Sequence, residues 1–111
     1  MIASPPKGYA PKEYSLRNLN LSGNEIKEWP ALPFKALQLL DLSANQLKEF
    51  KCQEGHMEAL EYLYLSKNHL TYLEINCENL RNLELQENEL KTLTPLNLEK
   101  LKLLDAESNQ F

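Results

Sequence analysis

The sequence predicts an α/β solenoid, with about five short parallel strands stacked into one concave sheet and mostly extended or 3-10 connectors on the convex side. Two observations predict it. An eight-residue stretch recurs five times: LNLSGNEI (19–26), LDLSANQL (40–47), LYLSKNHL (63–70), LELQENEL (83–90) and LDAESNQF (104–111). Three residues before each stretch stands another leucine, at Leu16, Leu37, Leu60, Leu80 and Leu101. Within the copies the asparagines Asn24, Asn45, Asn68, Asn88 and Asn109 lie 21, 23, 20 and 21 residues apart. A period in that range marks a stack of like units rather than a conventional two-layer domain.

Each part of the unit has a physical reason. The L-x-L core has period 2, so its leucines point to one face of a strand and the residues between them to the other. One such strand cannot bury its own leucines, but stacked copies share a continuous apolar interior. Each leucine fully buried there contributes roughly 1.5–3 kcal/mol. The asparagine follows the strand, where the backbone turns inward and its N–H and C=O groups lose water. A short amide offers both donor and acceptor, so it is expected to satisfy the turns of its own repeat and of its neighbour.

The connectors keep the same register. Five residues after the asparagines stand Trp29, Phe50, Leu73 and Leu93; three residues before each following repeat stand Phe34, Met57, Cys77 and Leu98. Both columns read as interior lining of the convex side. Cys52 shares a third column with Ala31, Ile75 and Pro95. The two cysteines therefore read as small buried fillers in different columns; a Cys52–Cys77 disulfide would have to join those columns, and a reduced state is the expectation.

The complete unit, LxxLxLxxNxL, resembles that of the leucine-rich-repeat family over residues 16–111. The resemblance implies a right-handed superhelix that binds another protein on its concave sheet. It divides the chain into a capping segment at 1–15 and five repeats at 16–36, 37–59, 60–79, 80–100 and 101–111. Only the last repeat departs from the pattern, with Ala106 and Phe111 at leucine positions. Cysteine clusters usually close the ends of extracellular members, and no such cluster flanks this array.

In chain order, Pro5, Pro6, Gly8 and Pro11 reject a regular helix in the first segment, and Ile2, Tyr9 and Tyr14 are expected to fold over the first repeat. The first connector, with Pro30 and Pro33, should run extended. Its WPALP is similar to the LPxLP segments of leucine-rich-repeat effectors secreted by Gram-negative pathogens. That resemblance implies the recognition part of a larger effector or ubiquitin-ligase-type enzyme. The second connector, containing CQEGHMEA, is the longest, and its tail is expected to make a short helical turn over Met57. Thr94-Pro95 should hold the last connector extended. With no polar cap after the fifth asparagine, the array reads either as part of something longer or as a unit that pairs, as a homodimer, through its C-terminal end.

A net charge of −4 and a pI near 5.2 argue against nucleic-acid or anionic-membrane partners. The first residues lack the apolar core of a secretory signal, so the chain reads as cytoplasmic, or as delivered into a host cytosol if it is an effector. No catalytic residue, metal site or cofactor is expected. Cys52 and His56 are four apart, but a nucleophile needs a base and an oxyanion-stabilising group converging on it, and zinc needs four ligands. His69 reads as a solvated surface residue. Asn20-Leu21-Ser22 matches a glycosylation acceptor only by chance, since Asn20 falls within a strand.

The concave face carries the functional expectation. Its outward positions form columns: Asn18, Leu39, Tyr62, Asn82 and Leu103; then Asn20, Asp41, Tyr64, Glu84 and Asp105; then Ser22, Ser43, Ser66, Gln86 and Glu107. Arg17, Glu61, Arg81 and Lys102 form the rim beside the first column. Paired tyrosines at the centre of an acidic surround suit a protein-binding hot spot. The expected contact set is Leu39, Asp41, Tyr62, Tyr64, Asn82, Glu84, Leu103 and Asp105, with Tyr62 and Tyr64 as anchors and Asp41, Glu84 and Asp105 steering a partner that presents a basic patch.

Overall fold

A computed structural model describes residues 15–30, 33–93, 96 and 98–111. The strands fall where the L-x-L cores predict them: β1 (Asn18–Asn20), β2 (Leu39–Asp41), β4 (Tyr62–Tyr64), β6 (Asn82–Glu84) and β7 (Leu103–Asp105). All five are parallel neighbours in the order β1-β2-β4-β6-β7. The register matches repeat to repeat, pairing Leu19 with Leu40, Leu40 with Leu63, Leu63 with Leu83 and Leu83 with Leu104. No α-helix forms among the described residues.

The leucines of the middle repeats are fully buried: Leu40, Leu42, Leu63, Leu65, Leu83 and Leu85 expose none of their surface. Burial falls away at the last repeat, where Leu103 and Leu104 are 49% and 42% exposed and Phe111 64%. On the convex side Phe34, Phe50, Met57 and Cys77 are buried as their columns predict, and Trp29 packs on the rings of Phe34 and Phe50 with centroids 5.6 and 6.4 Å away.

Beyond the sheet, the second and third connectors form strands of their own. β3 (Glu49–Cys52) and β5 (Tyr72–Ile75) pair in parallel, with Phe50 opposite Leu73 and Cys52 opposite Ile75. Both alternate exposed with buried residues, as a strand with one wet face must. Among its described residues the first connector joins no ladder; Pro30 and Pro33 lack the N–H that a ladder needs. After β3 the expected helical turn is replaced by two tight turns. His56 N–H donates to Gln53 O at 3.1 Å with Gly55 at φ 82°, and Leu60 N–H donates to Met57 O at 3.2 Å. A left-handed residue at that place cannot continue a right-handed helix. Residues 1–14 of the capping segment, Ala31 and Thr94-Pro95 lie outside the described residues.

The asparagines hold successive turns together in one repeated pattern. Asn68 Nδ2 donates to Leu65 O of its own repeat at 3.1 Å and to Leu42 O of the previous one at 3.0 Å, while its Oδ1 accepts from Leu47 N–H at 3.0 Å. Asn45 does the same with Leu42 O, Leu21 O and Ile26 N–H. Asn88 bonds Leu85 O, Leu65 O and Leu70 N–H, and Asn109 bonds Ala106 O, Leu85 O and Leu90 N–H. Asn45, Asn68 and Asn88 are buried, whereas Asn24 is exposed and donates only within its own repeat, to Leu21 O and Ser22 O.

To aim each amide, the residue before it takes a left-handed conformation: Gly23, Ala44, Lys67, Glu87 and Ser108 have φ of 71, 55, 57, 59 and 55°. Four of these five are not glycine, and each accepts a conformation that costs an L-residue roughly 1–2 kcal/mol.

Two outcomes follow for equilibrium unfolding in urea. Asn68→Ala strands the N–H of Leu47 and takes one of two donors from each of Leu42 O and Leu65 O, and should cost about 2–3 kcal/mol, whereas Asn24→Ala should cost about 1 kcal/mol. At exposed Glu87, Glu87→Gly should stabilise by about 0.5 kcal/mol, because relief of the left-handed strain exceeds the added chain entropy of the unfolded state. A loss of stability there would contradict the strain assigned to the position.

Candidate functional site

The sheet register brings the expected contact residues together in two rows. Along one row the paired neighbours are Asn20, Asp41, Tyr64, Glu84 and Asp105; along the other they are Asn18, Leu39, Tyr62, Asn82 and Leu103. Neighbouring strands are about 4.8 Å apart, so the five span roughly 20 Å. Tyr62 and Tyr64 flank buried Leu63 on β4, the middle strand, and both are half-buried among their row neighbours. Leu39, Asp41, Asn82 and Glu84 are also half-buried, as is Asp105, while Leu103 at the edge is open.

Tyr64 sits between two carboxylates, Asp41 on one side and Glu84 on the other. Burial first, then the charge of Glu84, then Tyr62 and Asp41, raise its phenol above the ordinary tyrosine range. It therefore remains a neutral donor and an intact aromatic face throughout physiological pH. A cationic side chain laid over it would meet the ring and both carboxylates together.

The acidic residues have a second, local task. Asp41 Oδ1 accepts from the N–H of Ser43 at 2.9 Å and from its Oγ at 2.6 Å. Asn20 makes the same pair of bonds with Ser22, and Asp105 Oδ1 accepts from Glu107 N–H at 3.1 Å. These side chains close the strand end, as short polar residues do in turns. Asp41 and Asp105 are thereby held in place, each with its other oxygen as a remaining acceptor. At Tyr64 the strand end has no such bond, and the aromatic ring occupies that place in the row.

Gln86 was not among the expected contacts, yet it belongs to the site. Its Nε2 donates to Glu84 Oε1 at 3.2 Å. Its Oε1 is the one buried side-chain nitrogen or oxygen among the described residues without a hydrogen-bond partner. A glutamine in a polar column gives no sequence signal for this, because the outcome depends on how the Glu84 carboxylate orients the amide. At the rim, Arg81 Nε lies 3.3 Å from Glu61 Oε1, and Arg17 and Lys102 are exposed. The face therefore runs from acidic at its centre to basic along one edge.

Neither histidine joins the face. His56 is held in the Gln53–His56 turn, and His69 Nδ1 lies 2.8 Å from Glu89 Oε2 on the exposed outside of the turns. Cys52 does not meet His56 in any bond; its sulfur lies 3.1 Å from that of Cys77.

The leucine rich repeat family model matches residues 14–70. The chain belongs to the leucine-rich-repeat family. Similar proteins include Toll-like receptor 2 type-2 of Gallus gallus, 35% identical over 102 aligned positions that cover 87% of this chain and 13% of the receptor. Toll-like receptor 2 type-1 of the same bird gives the same identity over 12% of its length. Podocan of Mus musculus is 32% identical over 122 aligned positions, which cover 97% of this chain and 20% of podocan. The chain thus spans a fifth or less of the length of the curated relatives it matches. No solved structure gives a significant match. Leucine-rich-repeat domains generally bind proteins, and the solenoid described above is the architecture of the family.

Absorbance titration should show a phenol that ionises above the ordinary tyrosine range. Tyr64→Phe should remove that phase, and Asp41→Asn with Glu84→Gln should move it toward the unperturbed value near 10. Because the folded state raises this group, its contribution to stability is present below pH ~10 and lost as pH rises through the higher folded value. Identical titrations in all three proteins would contradict the carboxylate-flanked geometry.

Proposed function

We propose that this protein binds a partner protein through its concave sheet, gripping a basic segment of that partner at Tyr62 and Tyr64. The observation that supports the reading is the Asp41–Tyr64–Glu84 row, which sets an un-ionised phenol between two acids at the centre of the face. An arginine of the partner would stack on the ring and donate to the flanking carboxylates. Leu39 and Tyr62 supply apolar contact alongside, with Asn82 as a polar contact. Leu103 and Asp105 extend the same rows to the last strand. The rim arginines and Lys102 would meet acidic residues flanking the bound segment and fix its direction.

A second reading follows from the small share of the relatives that the chain spans: the array serves as the recognition part of a longer protein. In that case the concave face would select what the remainder acts upon, and the same residues would matter.

Capture of the partner from the native source tests the proposal. Asp41→Lys and Tyr64→Ala should each reduce capture more than tenfold with circular dichroism unchanged. Binding by the unaltered protein should weaken between 0.05 and 0.5 M salt (on the order of one Debye length shrinking from over 10 Å to a few). Undiminished capture by both variants would remove the concave face from consideration.

A further inference from the structure

The convex side holds a second feature with chemistry of its own. Cys52 closes β3 in the second repeat, and Cys77 follows β5 by two residues in the third. Sequence columns set them apart, because Cys52 aligns with Ile75 rather than with Cys77. The fold nevertheless brings their sulfurs to 3.1 Å, with Cys77 Sγ donating to Cys52 Sγ. Both are free thiols and almost wholly buried.

Three independent features favour closure of this pair. The backbone is already pinned: Cys52 O accepts from both the backbone N–H and the Nδ2 of Asn76, each at 3.1 Å, and Asn76 immediately precedes Cys77. The sulfurs need approach by only about 1 Å to reach the bonded distance of about 2.05 Å. A groove of about 550 Å³ lies beside Cys77, lined also by Leu73, Ile75, Leu96 and Leu98, and brings small solutes up to the wall that holds the pair.

We propose that Cys52 and Cys77 form a reversible intramolecular disulfide, closed by a small hydroperoxide, that staples the second repeat to the third. The hydrogen bond between the two thiols holds Cys52 below its usual range, against the opposing effect of burial, and together with burial pushes Cys77 up. The thiolate of one cysteine displaces alkoxide or hydroxide from the hydroperoxide and becomes a sulfenic acid, and the proton it lost goes to the leaving oxygen. The sulfur of the other then attacks that sulfenic sulfur, expels water and completes the S–S bond. In sum, two thiols and one hydroperoxide give a disulfide, one alcohol or water from the leaving group, and one water. A dithiol reductant reverses the change.

The staple lies behind the concave centre, since the same two repeats carry Asp41 and Tyr64. It closes a loop of 25 residues, the separation of the two cysteines, and so constrains the unfolded chain more than the folded one. Oxidation should lower the unfolding equilibrium constant on the order of a hundredfold and raise the melting temperature by about 10 °C.

The test treats the whole, fully reduced chain with stoichiometric hydrogen peroxide. Expected are loss of both titratable thiols after denaturation, a mass lower by two hydrogens, and a single cross-linked peptide containing Cys52 and Cys77 in a monomeric protein. Dithiothreitol should restore the original mass and melting temperature. Cys52→Ser and Cys77→Ser should each lose the thermal response to peroxide. Sulfinic or sulfonic acid at either position without the cross-link would overturn the proposal, as would cross-links formed only between chains. The wild-type peptide map decides this even if a serine variant fails to fold.

Discussion

One buried carboxamide per turn sets the geometry on which the rest of this protein depends. The turn after each strand carries peptide groups into an interior lined with leucine, where an unpaired donor or acceptor costs about 1–3 kcal/mol. Asn45, Asn68 and Asn88 each meet that demand on two levels at once, bonding the carbonyl of the third leucine in their own repeat and in the one before. The same side chain accepts from the N–H two residues after the previous asparagine. Leucine burial supplies most of the free energy, but it is non-directional. Aligned carboxamides fix the rotation and spacing of one coil on the next, and the register of the concave sheet follows from them.

That register is what turns scattered polar residues into a surface. Asp41, Tyr64 and Glu84 come from three different repeats and become neighbours only because Leu40, Leu63 and Leu83 align. Asp41 then serves twice, closing its own strand end through Ser43 and offering charge to the face. A residue immobilised for structural reasons is also pre-organised for binding, so less side-chain entropy is lost when a guest arrives. Tyr62 and Tyr64 gain in the same way, since their strand is flanked on both sides by others. Such a face can be rewritten residue by residue without disturbing the coil beneath it, which explains how one scaffold holds many guests.

The sequence was most informative where a single residue has one tolerable environment. Leucine at fixed spacing predicts burial, and the strands, their order and the convex columns of Phe34, Phe50, Met57 and Cys77 all follow from it. Asparagine after a strand predicts the bonds it makes. The sequence was silent where the outcome depends on relations between connectors. Pairing of β3 with β5 needs two connectors to run alongside each other, and nothing local to either shows that. The approach of Cys52 to Cys77 has the same origin, because column bookkeeping measures position along a coil and not the offset between coils. The left-handed residues were equally hidden: Gly23 suits such a place, but Ala44, Lys67 and Glu87 are forced into it by the amides that follow. For the concave face, the rows could be read in advance, whereas the buried, unpaired acceptor of Gln86 depended on the orientation of a neighbouring carboxylate.

Amide hydrogen exchange is the most direct test of the carboxamide account. The backbone N–H groups of Leu47 and Leu70, which donate to Asn68 and Asn88, and the side-chain Nδ2 protons of those two asparagines should be among the slowest to exchange. Protection should decline toward Ile26, which belongs to the first repeat, and Leu90, whose acceptor Asn109 belongs to the last. Rates for Leu47 and Leu70 matching those of exposed turn residues would mean that the coils are stacked by something other than these bonds.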